Sequence, residues 1–296
     1  VIGSFDLFHR GHVELLRRAR ALGDRLIVAI NGDDIVEKYK RRPYIKEDDR
    51  LAVVQACRYV DEAFVIHTFD NKEVICKYGI NIIFKSSFDK ANRTSLHSYR
   101  GPNLEKGLTM LNDIKMKYGL SLLTDIHEPY QAEIVGGIVD VIQIPAFLCR
   151  QTDLLVAAAR TGKIINIKKA QFLSGQDMKY PVEKVRETGN ANVWLTERGN
   201  TFGYNNLVVD FRNIPDMCSI TPHVIMDCTH SVQRPGADGG KTGGNREYVP
   251  AMALAAKAFG ATGYFFEVHP NPDMALSDGP NMLYLKDLEK VVCSLL

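Results

Sequence analysis

The chain has 296 residues, 45% of them hydrophobic, with a net charge of +2, enough apolar material for one large core or two smaller ones. The near-even charge balance argues against a nucleic-acid-wrapping protein, which shows a concentrated basic face. No apolar run approaches the ~20 residues of a membrane helix, and the six cysteines, none in a C-x-x-C pair, read as reduced thiols of a cytoplasmic protein with no membrane partner.

Apolar strand-like runs alternate with amphipathic helices. VIGSFD (1–6) opens the chain without a Met, so a fragment is expected, and precedes a helix predicted over 11–22. RLIVAI (25–30) precedes a basic loop and a helix over 47–58, and EAFVI (62–66) precedes a short helix at 71–78. Then come NIIF (81–84), SLLTD (121–125), VDVIQI (139–144), KIINIK (163–168), NVWLTE (192–197), HVIMD (223–227) and GYFFEV (263–268). Continuous Val/Ile runs buried on both faces and separated by helices imply a parallel sheet in an α/β protein. Seven such strands follow residue 81, where a closed (β/α)8 barrel needs eight. No Pro/Gly/Ser linker marks a boundary; only the motif content shifts, near residues 79–84.

Parallel α/β folds gather chemistry at the carboxyl ends of their strands. Here those ends carry Lys85, with Lys90, Asn92 and Arg93 in the following loop; Asp125 and His127; Phe147 and Arg150; Lys168, Lys169 and Gln171; Glu197 and Arg198; Asp227 and His230; then Glu267, His269 and Asp278. Lys and Arg are rarely buried unpaired. Several cationic strand ends on one rim describe a pocket for a multiply anionic substrate; structural ion pairs are the alternative. His230, Glu267 and Asp278, one imidazole and two carboxylates, suit a divalent cation, and a substrate contact or a satisfied polar residue is the alternative for the His.

These residues fall in a signature. FKSSFDKANRTSLHSYRGP (84–102), TDIHEP (124–129), QIPAFLCRQTDLL (143–155), NIKKAQF (166–172), TERGNTFGYNNLVVD (196–210), DCTHSVQRPG (227–236) and EVHPNPDMALSDGP (267–280) together resemble the 3-deoxy-D-manno-octulosonate 8-phosphate synthase family, in order from 81 to 296. The resemblance implies a TIM-type (β/α)8 barrel, a homotetramer, and a cytoplasmic enzyme of lipopolysaccharide precursor synthesis. Such an enzyme condenses phosphoenolpyruvate with arabinose 5-phosphate. The family's phosphoenolpyruvate cations fall on Lys85, Lys90, Lys168 and Arg198, and the pentose-phosphate loop on Asn92 and Arg93. Phe147 and Arg150 match a rim motif completed across a subunit interface. Gln171 and Asp125 match polar groups behind the site or beside a metal. SDGP (277–280) looks like the metal-dependent version, which implies Zn²⁺, Fe²⁺ or Mn²⁺ on His230, Glu267 and Asp278. The fourth ligand, a Cys on the first barrel strand, has no counterpart; Cys228 is the candidate substitute, and a spectator thiol is the alternative.

GSFDLFHRGHVELLRRARALGDRLIVAING (3–32) and KRRPYIKEDDRLAVVQACRYVDEAFV (40–65) resemble instead the nucleotidyltransferase family that includes glycerol-3-phosphate cytidylyltransferase. Its H-x-G-H motif falls on His9 and His12, at a helix start where imidazoles and the helix dipole meet phosphates, and Lys40 is the candidate triphosphate contact. The family's later I-S-[ST]-T-like motif is missing. The expectation is therefore a truncated Rossmann-like β-α-β segment over 1–80, then a barrel over 81–296 that lacks its own first strand. RLIVAI or EAFVI is the candidate to fill that gap. Three functions remain open: the sugar-acid phosphate synthase, nucleotidyl transfer at His9 and His12, and an inactive chimera with both sites incomplete.

Overall fold

The computed structural model describes residues 1–21, 23, 25–67, 81–93, 95–238 and 241–295; the helix expected at 71–78 lies outside them. The chain divides into two compact units, Val1–Ile82 and Ile83–Leu296. Among the described residues no helix is long and apolar enough to cross a membrane.

The first unit is a three-stranded parallel sheet in the order β1 (Ile2–Gly3), β2 (Ile27–Asn31), β3 (Glu62–Ile66). The helix Arg10–Arg20 starts at a capping box built from the H-x-G-H motif itself. His9 Nδ1 accepts from Gly11 N at 3.0 Å, and His12 Nδ1 accepts from His9 N at 3.2 Å, which satisfies two of the donors every helix start leaves over. Arg17, Arg18 and Arg20 end the helix, where the dipole favours cations. Leu16, Leu26, Val28, Ile30 and Val54 form the core with Phe5. Arg50 is buried there because its guanidinium closes the sheet end, donating to the carbonyls of Ser4 (2.5 Å), Asn31 (2.8 Å) and Ile45 (2.9 Å) and to Asp33 Oδ1 (2.6 Å).

The second unit holds a seven-stranded parallel sheet: β4 (Ile83–Lys85), β5 (Ser121–Asp125), β6 (Val141–Ile144), β7 (Ile164–Lys168), β8 (Val193–Glu197), β11 (Val224–Asp227) and β14 (Gly263–Phe265). Small hairpins follow the carboxyl ends of β8 and β11: β9 (Asn200–Thr201) with β10 (Leu207–Val208), and β12 (Gln233–Asp238) with β13 (Lys241–Gly244). After β14, β15 (Val268–His269) pairs in parallel with β16 (Leu283–Tyr284). Each of the seven strands pairs only with its sequence neighbours in the sheet, the right-handed β-helix-β order of a TIM-type barrel.

Two expectations need correction. RLIVAI and EAFVI do not complete the barrel: Ile27–Asn31 pairs with Glu62–Ile66 in the first unit's own sheet. Among the described residues β4 and β14 are the sheet's ends. Nor are the strands apolar on both faces. Leu122, Ile142, Ile144, Ile165, Ile167, Leu195 and Met226 pack under the helices, while the alternate positions carry polar groups that bond from strand to strand. Thr196 Oγ1 donates to Asn166 Oδ1 at 2.7 Å and Asn166 Nδ2 to Gln143 Oε1 at 3.4 Å. The period of two puts these residues, with Lys168 and Asp125 above them, on the concave side.

Candidate active site

Charged side chains from six of the seven strand ends meet over this polar floor. Lys85 Nζ, from the end of β4, donates to Ser87 Oγ at 2.9 Å, Ser87 Oγ donates to Asp125 Oδ1 at 2.6 Å, and His127 Nε2 lies 3.0 Å from Asp125 Oδ2. From the end of β7, Lys168 Nζ donates to Asp227 Oδ2 at 2.5 Å, and His230 Nδ1 lies 2.8 Å from the same oxygen. Asp227 also accepts the backbone N–H groups of Thr229 (3.1 Å) and His230 (2.8 Å) at its other oxygen, a side-chain-closed turn that folds the His back over the strand end. Glu267 Oε1 stands 3.8 Å from both His230 Nε2 and Lys90 Nζ.

Close to this group, Arg93 Nη1 is 3.7 Å from Asp278 Oδ2. Asp278 holds a left-handed backbone (φ 53°), which Asp tolerates better than most residues. The next residue must be Gly, since a Cβ on Gly279 would lie 2.5 Å from the Pro272 carbonyl. Gln233, at the start of β12, links Arg198 to Asp278: Arg198 Nη2 donates to its Oε1 at 2.8 Å, and its Nε2 donates to Asp278 Oδ1 at 3.0 Å. Beneath Arg198, Lys169 and Glu197 form a pair with neither side chain exposed, 3.4 Å apart, the ammonium also donating to Asn200 Oδ1 at 2.8 Å. The ammonium groups of Lys85 and Lys168 each stand 5.7 Å from the centre of the Phe265 ring.

The charge states follow from this crowding. Burial disfavours charge on Asp125, but Lys85 and His127 outweigh it and hold the carboxyl below its ordinary range. Asp227 behaves likewise beside His230 and Lys168. Burial also opposes charge on Lys85, yet Asp125 and Glu267 raise it. Lys168 and Lys90 are pushed down, first by burial, then partly by neighbouring cations. Not every donor in the cluster is used: Arg93 Nη2 and Arg198 Nη1 are buried with no hydrogen-bond partner in the protein, an arrangement that costs about 1–3 kcal/mol per group, and more for a charged one, unless an acceptor meets it.

His230, Glu267 and Asp278 each bring a ligand atom within 4.8 Å of the others, and Glu267 Oε2 is buried without a partner. This donor set fits a divalent cation of the borderline type. Cys228 does not join it. Its thiol faces the Met226 carbonyl at 3.7 Å, and the trio that comes within 4.8 Å does not include it.

Gln171 keeps a buried, unpartnered Oε1. Asn92 is exposed in the loop after β4. Phe147 is 57% exposed on the turn after β6, and Arg150, also exposed, offers its carbonyl to Lys184 Nζ at 3.0 Å. In the first unit the rings of His9 and His12 meet at 4.2 Å between centres, tilted by 40°, and Lys40 caps the helix Asp33–Tyr39 in the extended conformation. That unit holds a second trio of potential ligands, Asp34, Glu47 and His67. There the imidazole already pairs with Asp34 Oδ1 at 2.9 Å, and both side chains are about half exposed (55% and 50%). Sequence reasoning gave no role to Asp227, Ser87, His127, Gln233 or Phe265. Asp227 had a signal, an acid three residues before a His at a strand end; a neutral amide such as Gln233 has none.

Residues 35–296 match the model of the DAHP synthetase I family. The 2-dehydro-3-deoxyphosphooctonate aldolase of Cyanothece sp. is 55% identical over 241 residues, 81% of this chain and 88% of that protein. That of Fusobacterium nucleatum is 57% identical over 221 residues (75% and 80%), and that of Brucella abortus 57% identical over 212 (72% and 76%).

Proposed function

Because the chain belongs to the DAHP synthetase I family, we propose that it condenses phosphoenolpyruvate with arabinose 5-phosphate, giving 3-deoxy-D-manno-octulosonate 8-phosphate and inorganic phosphate. The names of its relatives support this reading. The observation that carries it is the pair of buried, unpartnered guanidinium donors, Arg93 Nη2 and Arg198 Nη1, within a ring of cations. Carbon 3 of the enol phosphate attacks the aldehyde while water adds at carbon 2, and the resulting phosphohemiketal expels phosphate. Two phosphates and a carboxylate must lie close together, so fixed cations and positioning supply much of the rate.

In this reading Lys85, Lys90, Lys168 and Arg198 hold phosphoenolpyruvate, and Asn92 and Arg93 hold the pentose phosphate. Phe147, Arg150 and Gln171 finish the rim. Asp125 orients His127 through Nε2 at 3.0 Å, which leaves the buried, unpartnered Nδ1 as the acceptor for the proton of the attacking water. His230, Glu267 and Asp278 would hold a divalent cation, which would supply Lewis-acid chemistry toward the aldehyde or the water. The reading extends to a homo-oligomer, expected as a tetramer, in the cytoplasm.

The test is phosphate release with both substrates, with and without chelator. Lys168→Ala and Arg198→Ala each lower kcat/KM by about 10²–10³-fold, the scale on which loss of one aimed donor is felt. Normal turnover in both variants removes the reading.

A second reading, nucleotidyl transfer in the first unit, is favoured by one observation. Both Nδ1 atoms of His9 and His12 serve the helix cap, which leaves their Nε2 edges for a phosphate at the helix start. Lys40 is the added triphosphate contact in this reading. Pyrophosphate release from CTP or ATP with a sugar phosphate, lost in His12→Ala, is its signature.

A further inference from the structure

Gln233 stands where two opposite charges of the site come nearest to a shared neighbour. Arg198 is donor-only and an ionised carboxylate acceptor-only. One orientation of a primary amide serves both, and it is the one found: Oε1 accepts from Arg198 Nη2 at 2.8 Å and Nε2 donates to Asp278 Oδ1 at 3.0 Å. A Lys or Glu here is attracted to one neighbour and repelled by the other; an apolar side chain leaves both without a partner. Arg198 is 6% exposed and Asp278 has 9% of its side chain exposed, so water does not readily replace either bond.

We propose that Gln233 is a positioning residue that couples the anion clamp to the carboxylate trio. It rests on the reading above in which Arg198 holds phosphoenolpyruvate and Asp278 faces a divalent cation. A cation that fixes Asp278 fixes the amide, and the amide fixes the guanidinium with its unpartnered Nη1 toward the anion. The ordering needed by the second ligand has then been met by the first. By linkage the effect runs equally in the other direction.

The experiment is calorimetric binding of phosphoenolpyruvate without pentose, so that no turnover intervenes, in Mn²⁺ and in EDTA. The readout is the ratio of the two dissociation constants. In the unaltered protein Mn²⁺ tightens phosphoenolpyruvate by about 5-fold or more, the usual scale of such coupling. In Gln233→Met, of similar length, the ratio falls by at least about 3-fold, and Mn²⁺ titrations with and without phosphoenolpyruvate lose the same factor. Through-space attraction between cation and anion is present in both proteins and cancels in the comparison. Gln233→Glu keeps the acceptor toward Arg198 but sets a carboxylate against Asp278. It loses the coupling too, and serves if the Met variant does not fold. A ratio unchanged in the variants, or absent in the unaltered protein, overturns the bridge alone. An unaltered protein that binds no phosphoenolpyruvate overturns the functional reading and the bridge with it.

Discussion

Both units set histidines and basic residues at the carboxyl ends of parallel strands, yet the two ends differ in kind. In the second unit the charges are mostly covered, and the cations are paired with residues far off in sequence: Lys168 with Asp227, Lys85 with Asp125, Arg198 through Gln233 with Asp278. In the first unit the histidine pairs are local or exposed, His9 with His12 on one helical turn and Asp34 with a half-exposed His67, and the buried Arg50–Asp33 pair is the exception. The count of charged residues in a motif does not separate these cases. What does is whether tertiary structure spends burial on holding them, because a desolvated charge persists only where its geometry is fixed.

Asp227→Asn attacks the covered network where it is densest and carries the largest effect. It removes the carboxylate between Lys168 and His230, so phosphate release falls by about 10²–10³-fold. Thermal or denaturant unfolding shows a loss of about 3 kcal/mol, from a buried cation left without its partner. Turnover and stability both near normal make the network ornamental and erase the contrast.

Asp125→Asn sharpens the contrast through pH. Lys85 and His127 hold Asp125 below the ordinary carboxylate range in the folded protein, while the unfolded chain binds that proton near about pH 4. The unfolded state thus binds more protons across the acid range, so the stability from this group is present above about pH 4 and lost as pH falls through the depressed value. Denaturant unfolding at about pH 7 and about pH 3 should show a smaller acid loss in the Asn variant. An equal loss assigns acid sensitivity elsewhere.

The smallest effect is expected in the first unit. His12→Ala leaves phosphate release within about 2-fold, as for a substitution outside the residues proposed for synthesis. A larger drop shows that the first unit contributes to synthesis. If neither phosphate nor pyrophosphate is released by the unaltered protein, the inactive chimera is the surviving account.

The architecture was legible from local pattern because each strand run and its following helix specify themselves: SLLTD is β5 to the residue, and helix 11–22 appears as Arg10–Arg20. The strand ends Lys85, Lys168, Glu197 and Asp227 were readable for the same reason. The concave polar layer was not, since Gln143 and Asn166 are single polar residues inside runs of four and five, too short to fix a period against flanking Ile. Partner choice was also hidden: the pairing of Ile27–Asn31 with Glu62–Ile66 depends on which edges meet, and hydrophobic pattern does not encode that.

The Phe265 ring lies 5.7 Å from two ammonium groups at once. Its electron-rich face calms their mutual repulsion by an amount on the order of 1 kcal/mol each, without neutralising either. A carboxylate in that place would have to be displaced by every arriving phosphate; an arene has nothing to give up. Both lysines thus keep an uncharged neighbour, and an anion that meets them has no resident competitor on that wall.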